Sequence, residues 1–272
     1  MVGAAGRSPA RSAARTYRID LAYDGTDFHG WARQGDLPTI QRSLETALER
    51  ALRAPVRLAV AGRTDAGVHA VGQVASFRGE VDDVERLARA VNGMVGPAIA
   101  VRSIRAVADD FHARFSASAR VYRYRIRTDP TPDPFGHRYA WWVPEDLALA
   151  PMRRAAASLV GEHDFAAFCR RPPTGGTVRR LERLTVVRTP EGLEVGARAN
   201  AFLHQMVRSL VRVLVDVGRG RIEAEAVGAV LAGGDRARTP GPAPAQGLTL
   251  ERVVYGRRQG VPAPLTGERS RR

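Results

Sequence analysis

Residues 61–70 read Ala-Gly-Arg-Thr-Asp-Ala-Gly-Val-His-Ala, and their setting decides how the chain around them folds. An apolar run, residues 56–61, leads in, and a second strand-like run, residues 72–77, leads out. Between them lie Arg63, Asp65 and the glycines Gly62 and Gly67. These residues make a poor core and a good site. Glycine permits backbone angles and close approaches that a Cβ forbids, and a charged loop leaving a strand is a common place for chemistry. A polar turn between two strands would carry the same residues, so the rest of the chain has to decide.

Upstream, residues 17–23 read as a strand ending in the turn signal Asp24-Gly25. Residues 38–52 have helical periodicity, with Ile40, Leu44, Ala47, Leu48, Ala51 and Leu52 on one face, Thr39 as N-cap and Pro55 as the stop. Downstream, Asp82 is the expected cap of a second helix, with Glu85 at the capping-box position. A strand at 99–107 follows. The first half therefore reads β-α-β-β-α-β, an α+β arrangement with helices on one face of the sheet. Residues 120–128 then show strong alternation. Tyr122, Tyr124 and Ile126 share one face, and Arg123, Arg125 and Arg127 the other. Aromatics opposite cations suit RNA contact, although Tyr124 is taken as a core residue.

The second half offers a similar inventory. A proline-rich loop at 129–136, a helix at 151–160 and a basic loop at 170–177 come first. A hairpin at 181–199 turns near 190–192. The helix expected at 202–217 is apolar almost all round yet carries Arg208 and Arg212 one turn apart. A buried arginine needs an anionic partner. A short helix ending near Gly233, a proline-rich linker at 239–245 and a last strand at 248–255 complete the chain. The expected organisation is a disordered basic tail at 1–15, an α+β half at 16–128 carrying the Asp65 loop, a second α+β half at 129–258, and a disordered tail at 259–272.

Composition narrows the function. Across 272 residues, 42 Lys+Arg face 28 Asp+Glu, a formal charge of +14, which points to a polyanionic partner such as a nucleic acid. The chain contains no lysine, a preference that codon bias in the source explains better than RNA chemistry does, so the charge and not the choice of arginine carries the argument. No run approaches the ~18 apolar residues of a membrane span. The one cysteine, Cys169, excludes an internal disulfide and offers no metal cluster, which suits a reducing, cytoplasmic setting.

Several motifs occur together in order: Tyr-Asp-Gly-Thr at 23–26, Gly-Arg-Thr-Asp-Ala-Gly-Val-His-Ala at 62–70 and Phe-His-Ala-Arg-Phe-Ser-Ala at 111–117. Tyr-Arg-Tyr-Arg-Ile at 122–126, Asn-Ala-Phe-Leu-His-Gln-Met-Val-Arg at 200–208 and Gly-Leu at 247–248 follow. This set resembles the tRNA pseudouridine synthase A family. The resemblance implies two similar α+β halves with mostly antiparallel sheets joined across a basic cleft. It implies conversion of uridine to pseudouridine at positions 38–40 of the tRNA anticodon arm by a homodimer, with no metal and no organic cofactor. Matched residue by residue, it makes Asp65 the catalytic aspartate, with Arg208 as its ion-pair partner and Tyr122 against the target base. Arg63 would hold the displaced RNA, and Leu248 would line the uracil pocket.

The chemistry makes compatible demands. Uridine isomerisation breaks the N1–C1′ bond, turns the base and joins C5 to C1′, so it is redox-neutral and needs no carrier. It does need an ionised carboxylate, as nucleophile or as base toward a sugar proton. A base leaving its stack costs a few kcal/mol, and an aromatic platform returns about 1–3 kcal/mol, a role that fits Tyr122. Arg63 and Arg114 are candidate phosphate contacts, while His69 and His112 are expected in structural hydrogen bonds. Two rivals remain. A non-catalytic RNA-binding protein of this fold would not need Asp65, and a nucleoside hydrolase would need a second placed carboxylate, for which Asp24 is the candidate.

Overall fold

The computed structural model of the chain describes residues 13–170 and 174–256. The expected tails therefore fall almost wholly outside the described residues, as do three residues of the expected basic loop. The first half comprises strand β1 (Arg15–Tyr23), helix α1 (Ile40–Leu52), strands β2 (Ala59–Val60) and β3 (His69–Gly79), helix α2 (Val84–Val95) and strands β4 (Ile99–Ala106) and β5 (Ala117–Arg127). Then come β6 (Trp141–Trp142), α3 (Leu149–Ser158), β7 (Gly161–Asp164), β8 (Val178–Thr189), β9 (Gly192–Ala199), α4 (Met206–Gly218), α5 (Ala226–Gly233) and β10 (Leu248–Tyr255).

Side-chain alternation along β1 fixes the two faces of the sheet. Tyr17, Ile19, Leu21 and Tyr23 enter the core, while Asp20 joins Arg18, Ser103 and Arg105 on the other face. β5 repeats the pattern: Tyr122, Tyr124 and Ile126 are buried, and Arg123 pairs with Glu194 and Glu251 on neighbouring strands. The strands form one mostly antiparallel sheet in the order β4-β1-β3-β10-β5-β9-β8-β7, with β2 beside β3 and β6 beside β5. The last strand thus sits at the centre. β10 runs parallel to β3, pairing Thr249 with His69, and antiparallel to β5, pairing Leu250 with Tyr122. The chain's end is what brings the Asp65 loop beside the tyrosines of β5.

Several expected boundaries move, for identifiable reasons. The strand expected at 56–61 reduces to β2, because the Val56 and Leu58 N–H groups donate to Glu49 and Glu45 of α1 instead of to another strand. The second helix is capped by Asp83 rather than Asp82: Asp83 Oδ1 accepts from the backbone N–H groups of Glu85 and Arg86. Glu85 is consequently inside the first turn and not at a capping-box position. The apolar helix starts at Met206, four residues late, since Gln205 has φ +64°. The preceding Phe202 turns its ring edge-on to Tyr122, at 5.2 Å between centroids. Thr39 caps α1 as expected, with its hydroxyl accepting from Arg42 N.

Three core tyrosines and the half-buried Tyr255 give the fold a defined alkaline limit. Burial raises the pKa of Tyr23 to about 12 and pushes those of Tyr122, Tyr124 and Tyr255 up as well. In the unfolded chain these phenols ionise near pH 10. The unfolded state then binds fewer protons than the native state, so stability is complete below about pH 10 and falls as the pH rises above it. A thermal-melt series from pH 8 to 11.5 should show a declining Tm above about pH 10, with the 295 nm phenolate absorbance of these four tyrosines appearing only with unfolding, over a smaller signal from exposed Tyr139.

Candidate active site

The Asp65 loop is held from three sides. Tyr23, at the end of β1, shares a 2.8 Å hydrogen bond with the Thr64 hydroxyl, and Gln73 on β3 donates to both Tyr23 Oη and Gly62 O. The Trp31 N–H donates to Thr64 O at 3.0 Å. The loop also lies hard against the 24–31 turn. Gly30 has φ +83°, and a Cβ there would sit 2.7 Å from Thr64 O. Gly67 likewise takes φ +76°, as expected. Gly62 does not: its φ is ordinary, and a Cβ would meet only Tyr122 Oη at 3.8 Å and Arg120 Cγ at 4.0 Å.

From this loop Asp65 faces the N-terminal turn of α4. Arg208 Nη1 donates to Asp65 Oδ2 at 2.9 Å, and its Nε donates to Ala243 O at 2.7 Å. The guanidinium is thereby fixed at two points. Arg212, one turn on, serves a different purpose: it pairs with Asp216 and lies over the Trp141 ring. The second carboxylate oxygen, Oδ1, lies 3.4 Å from His204 Nε2.

These groups line a cleft of about 1100 Å³. Arg63, Arg114, Tyr122, Arg208 and Leu248 all border it together with Asp65, so every site residue expected from the sequence reaches one cavity. Tyr122 forms a wall. Its phenol stays protonated, because burial first, then the nearby Tyr23 and the Asp65 carboxylate, push its pKa upward. Arg63 is exposed at the rim. Among the described lining residues stand six arginines (63, 114, 120, 170, 179 and 208) and a single carboxylate, Asp65. Asp24 is elsewhere. It accepts from the Thr26 hydroxyl and from Tyr139 Oη in a turn. Burial alone would raise its pKa, but hydrogen bonds from the Thr26 hydroxyl and backbone and from Tyr139 bring it below the usual carboxylate value. His69 accepts from Gly25 N and meets Arg138 O, while His112 Nδ1 accepts from Arg114 N, so both hold backbone.

Two participants escape the sequence reading. His204 lies in a recognised motif but gives no sign of its proximity to Asp65. Arg120 is the other. It is 7% exposed, and all five of its N–H groups are directed to backbone carbonyls: two to Ala61 and one each to Arg114, Ala117 and Asn200. A period-two count could have found it, since residue 120 shares the inward face with 122 and 124.

A family model described as tRNA pseudouridine synthase matches residues 21–116 and 155–256, which include Arg63, Asp65, Arg114, Arg208 and Leu248 of the cleft but not Arg120 or Tyr122. The chain belongs to the tRNA pseudouridine synthase family. A tRNA pseudouridine synthase A from Frankia casuarinae is 49% identical to it, over 88% of this chain and 88% of the relative. One from Syntrophotalea carbinolica is 43% identical over 88% of this chain and 95% of the relative. One from Burkholderia multivorans is 42% identical over 92% and 93%. As a member of this family of isomerases, the chain is an enzyme, and its α+β fold with a mostly antiparallel sheet is that of the family. No helix among the described residues is long and apolar enough to cross a membrane. Nor do three His, Cys, Asp or Glu side chains among them group to hold a metal ion.

Proposed function

We propose that the protein isomerises uridine to pseudouridine at positions 38–40 in the anticodon arm of tRNA, acting as a homodimer in the cytoplasm. The carrying observation is the cleft itself, whose described lining combines six arginines with one carboxylate, held by Arg208 at 2.9 Å. A polyanion is attracted to such a surface, and the single carboxylate is left for chemistry. The target uridine leaves its stack and enters the cleft. Tyr122 supports the base, Leu248 borders it, and Arg63 and Arg114 meet phosphates at the rim. Asp65, oriented through Oδ2, presents Oδ1 to the ribose, as nucleophile at C1′ or as base toward a sugar proton. The N1–C1′ bond breaks, the base turns, C5 joins C1′, the C5 proton leaves to restore the conjugated ring, and N1 takes up a proton from water.

The nucleoside-hydrolase reading loses its support, because Asp24 does not border the Asp65 cleft and is engaged by Thr26 and Tyr139. Incubation with unmodified tRNA transcripts, followed by nucleotide-resolution pseudouridine mapping, tests the position. Signal confined to uridines 38–40 supports it, and signal only in another arm would refute it.

The Tyr122 platform has its own test. Tyr122→Phe retains the ring and is expected to retain tRNA affinity, whereas Tyr122→Ala should weaken binding by roughly 5- to 150-fold, the equivalent of about 1–3 kcal/mol of stacking. Equal losses in a filter-binding titration would count against stacking.

A further inference from the structure

We propose that Phe115 is a stacking platform for an unpaired base flanking the uridine that enters the cleft. This rests on the tRNA-modifying reading above and adds to it a contact outside the target-base pocket. A single exposed apolar side chain needs no account by itself. Phe115 differs in its place, its company and its rigidity.

Its place is the border of the Asp65 cleft, where it is 77% exposed. Its company is cationic and aromatic. The ring centroid lies 4.4 Å from that of His112, and Arg114 Cζ is 5.6 Å from the ring centre. Its rigidity comes from the backbone beneath it. The N–H groups of Arg114 and Phe115 donate to His112 Nδ1, Ser116 and His112 bond reciprocally, and Ala113 N donates to the Ser76 hydroxyl. Arg114 O accepts from buried Arg120, and Ala113 O from Tyr255 Oη. A largely exposed phenyl group is thus carried, against the His112 ring, on a loop whose backbone is held by hydrogen bonds. Little ordering entropy remains to oppose a partner. Cleft arginines attract polyanions, and an unpaired base has a π face for the ring. A duplex would not offer that face, so the nucleotide recognised is a loop or splayed one.

Three variants test this by tRNA titration across a salt series. Phe115→Leu keeps apolar bulk and loses the π face, and should weaken binding by roughly 5- to 150-fold. Its log–log salt slope should match the wild type, since no phosphate contact is lost. Arg114→Gln should instead flatten the slope. Phe115→Tyr should restore affinity. Because the ring is largely exposed, Phe115→Leu should melt at the wild-type Tm. Wild-type affinity in Phe115→Leu, or an equal loss in Phe115→Tyr, overturns the platform. So does a Phe115→Leu effect confined to sedimentation behaviour, which assigns the ring to self-association. Ring-dependent tRNA binding by a wild-type protein that forms no pseudouridine would keep the platform and overturn the functional reading instead.

Discussion

Asp65→Asn is expected to slow pseudouridine formation by roughly 10⁴-fold or more, the scale on which loss of a catalytic side chain is felt. The substitution preserves shape, so the tethers of the loop through Thr64, Gly62 and Trp31 remain. What it removes is the charge and the basic, nucleophilic oxygen. RNA affinity should hold or tighten, because the only carboxylate among the described lining residues leaves a cleft of six arginines. Single-turnover kinetics with saturating enzyme separates the two effects. A rate within tenfold of the wild type would show that the carboxylate does no chemistry.

Arg208→Met is expected to lower the single-turnover rate by roughly 10- to 150-fold, corresponding to the ~1.5–3 kcal/mol of a hydrogen bond to a charged group. Two contacts disappear together: Nη1 to Asp65 Oδ2, and Nε to the Ala243 carbonyl. Loss of the first leaves Oδ2 free, so the carboxylate no longer presents a defined oxygen to the ribose. Loss of the second loosens the segment leading to the last strand, and a modest fall in Tm should accompany it. Arg208→Lys separates charge from geometry, since one ammonium cannot bridge both acceptors as a planar fork does. It should lie between Met and wild type. A wild-type rate in Arg208→Met would remove the pair from the mechanism.

Much of this site was legible because its residues belong to ordered local motifs, and much of the fold because periodicity and caps are local. Thr39 capping α1, the turn between β8 and β9 and the alternating faces of β5 follow from short-range rules. The failures occur where a tertiary partner takes over a local group. Val56 and Leu58 look like strand residues, yet carboxylates on α1 claim their N–H groups. Phe202 and Leu203 look helical, yet both border the cleft, and Phe202 packs on Tyr122. Asp82 and Asp83 are adjacent candidates that only the observed hydrogen bonds separate. Arg120 was hidden for a related reason. An arginine at the start of a strand looks like solvent-facing charge, and only the fold adds the distant Ala61 and Asn200 carbonyls to the nearby ones of Arg114 and Ala117. The central position of β10 is also non-local, since nothing in residues 248–255 names β3 and β5 as neighbours.

Release of the C5 hydrogen tests the central claim most directly, because joining C5 to C1′ must expel it whichever way the carboxylate acts. tRNA transcribed with [5-³H]uridine should lose tritium to water on incubation with the wild-type protein. The counts should not exceed one per modified uridine, and no cofactor should be required. With Asp65→Ala no release above background is expected, although the variant should still bind the RNA. Tritium release by Asp65→Ala, or none from the wild type with a tRNA that it binds, would contradict the account.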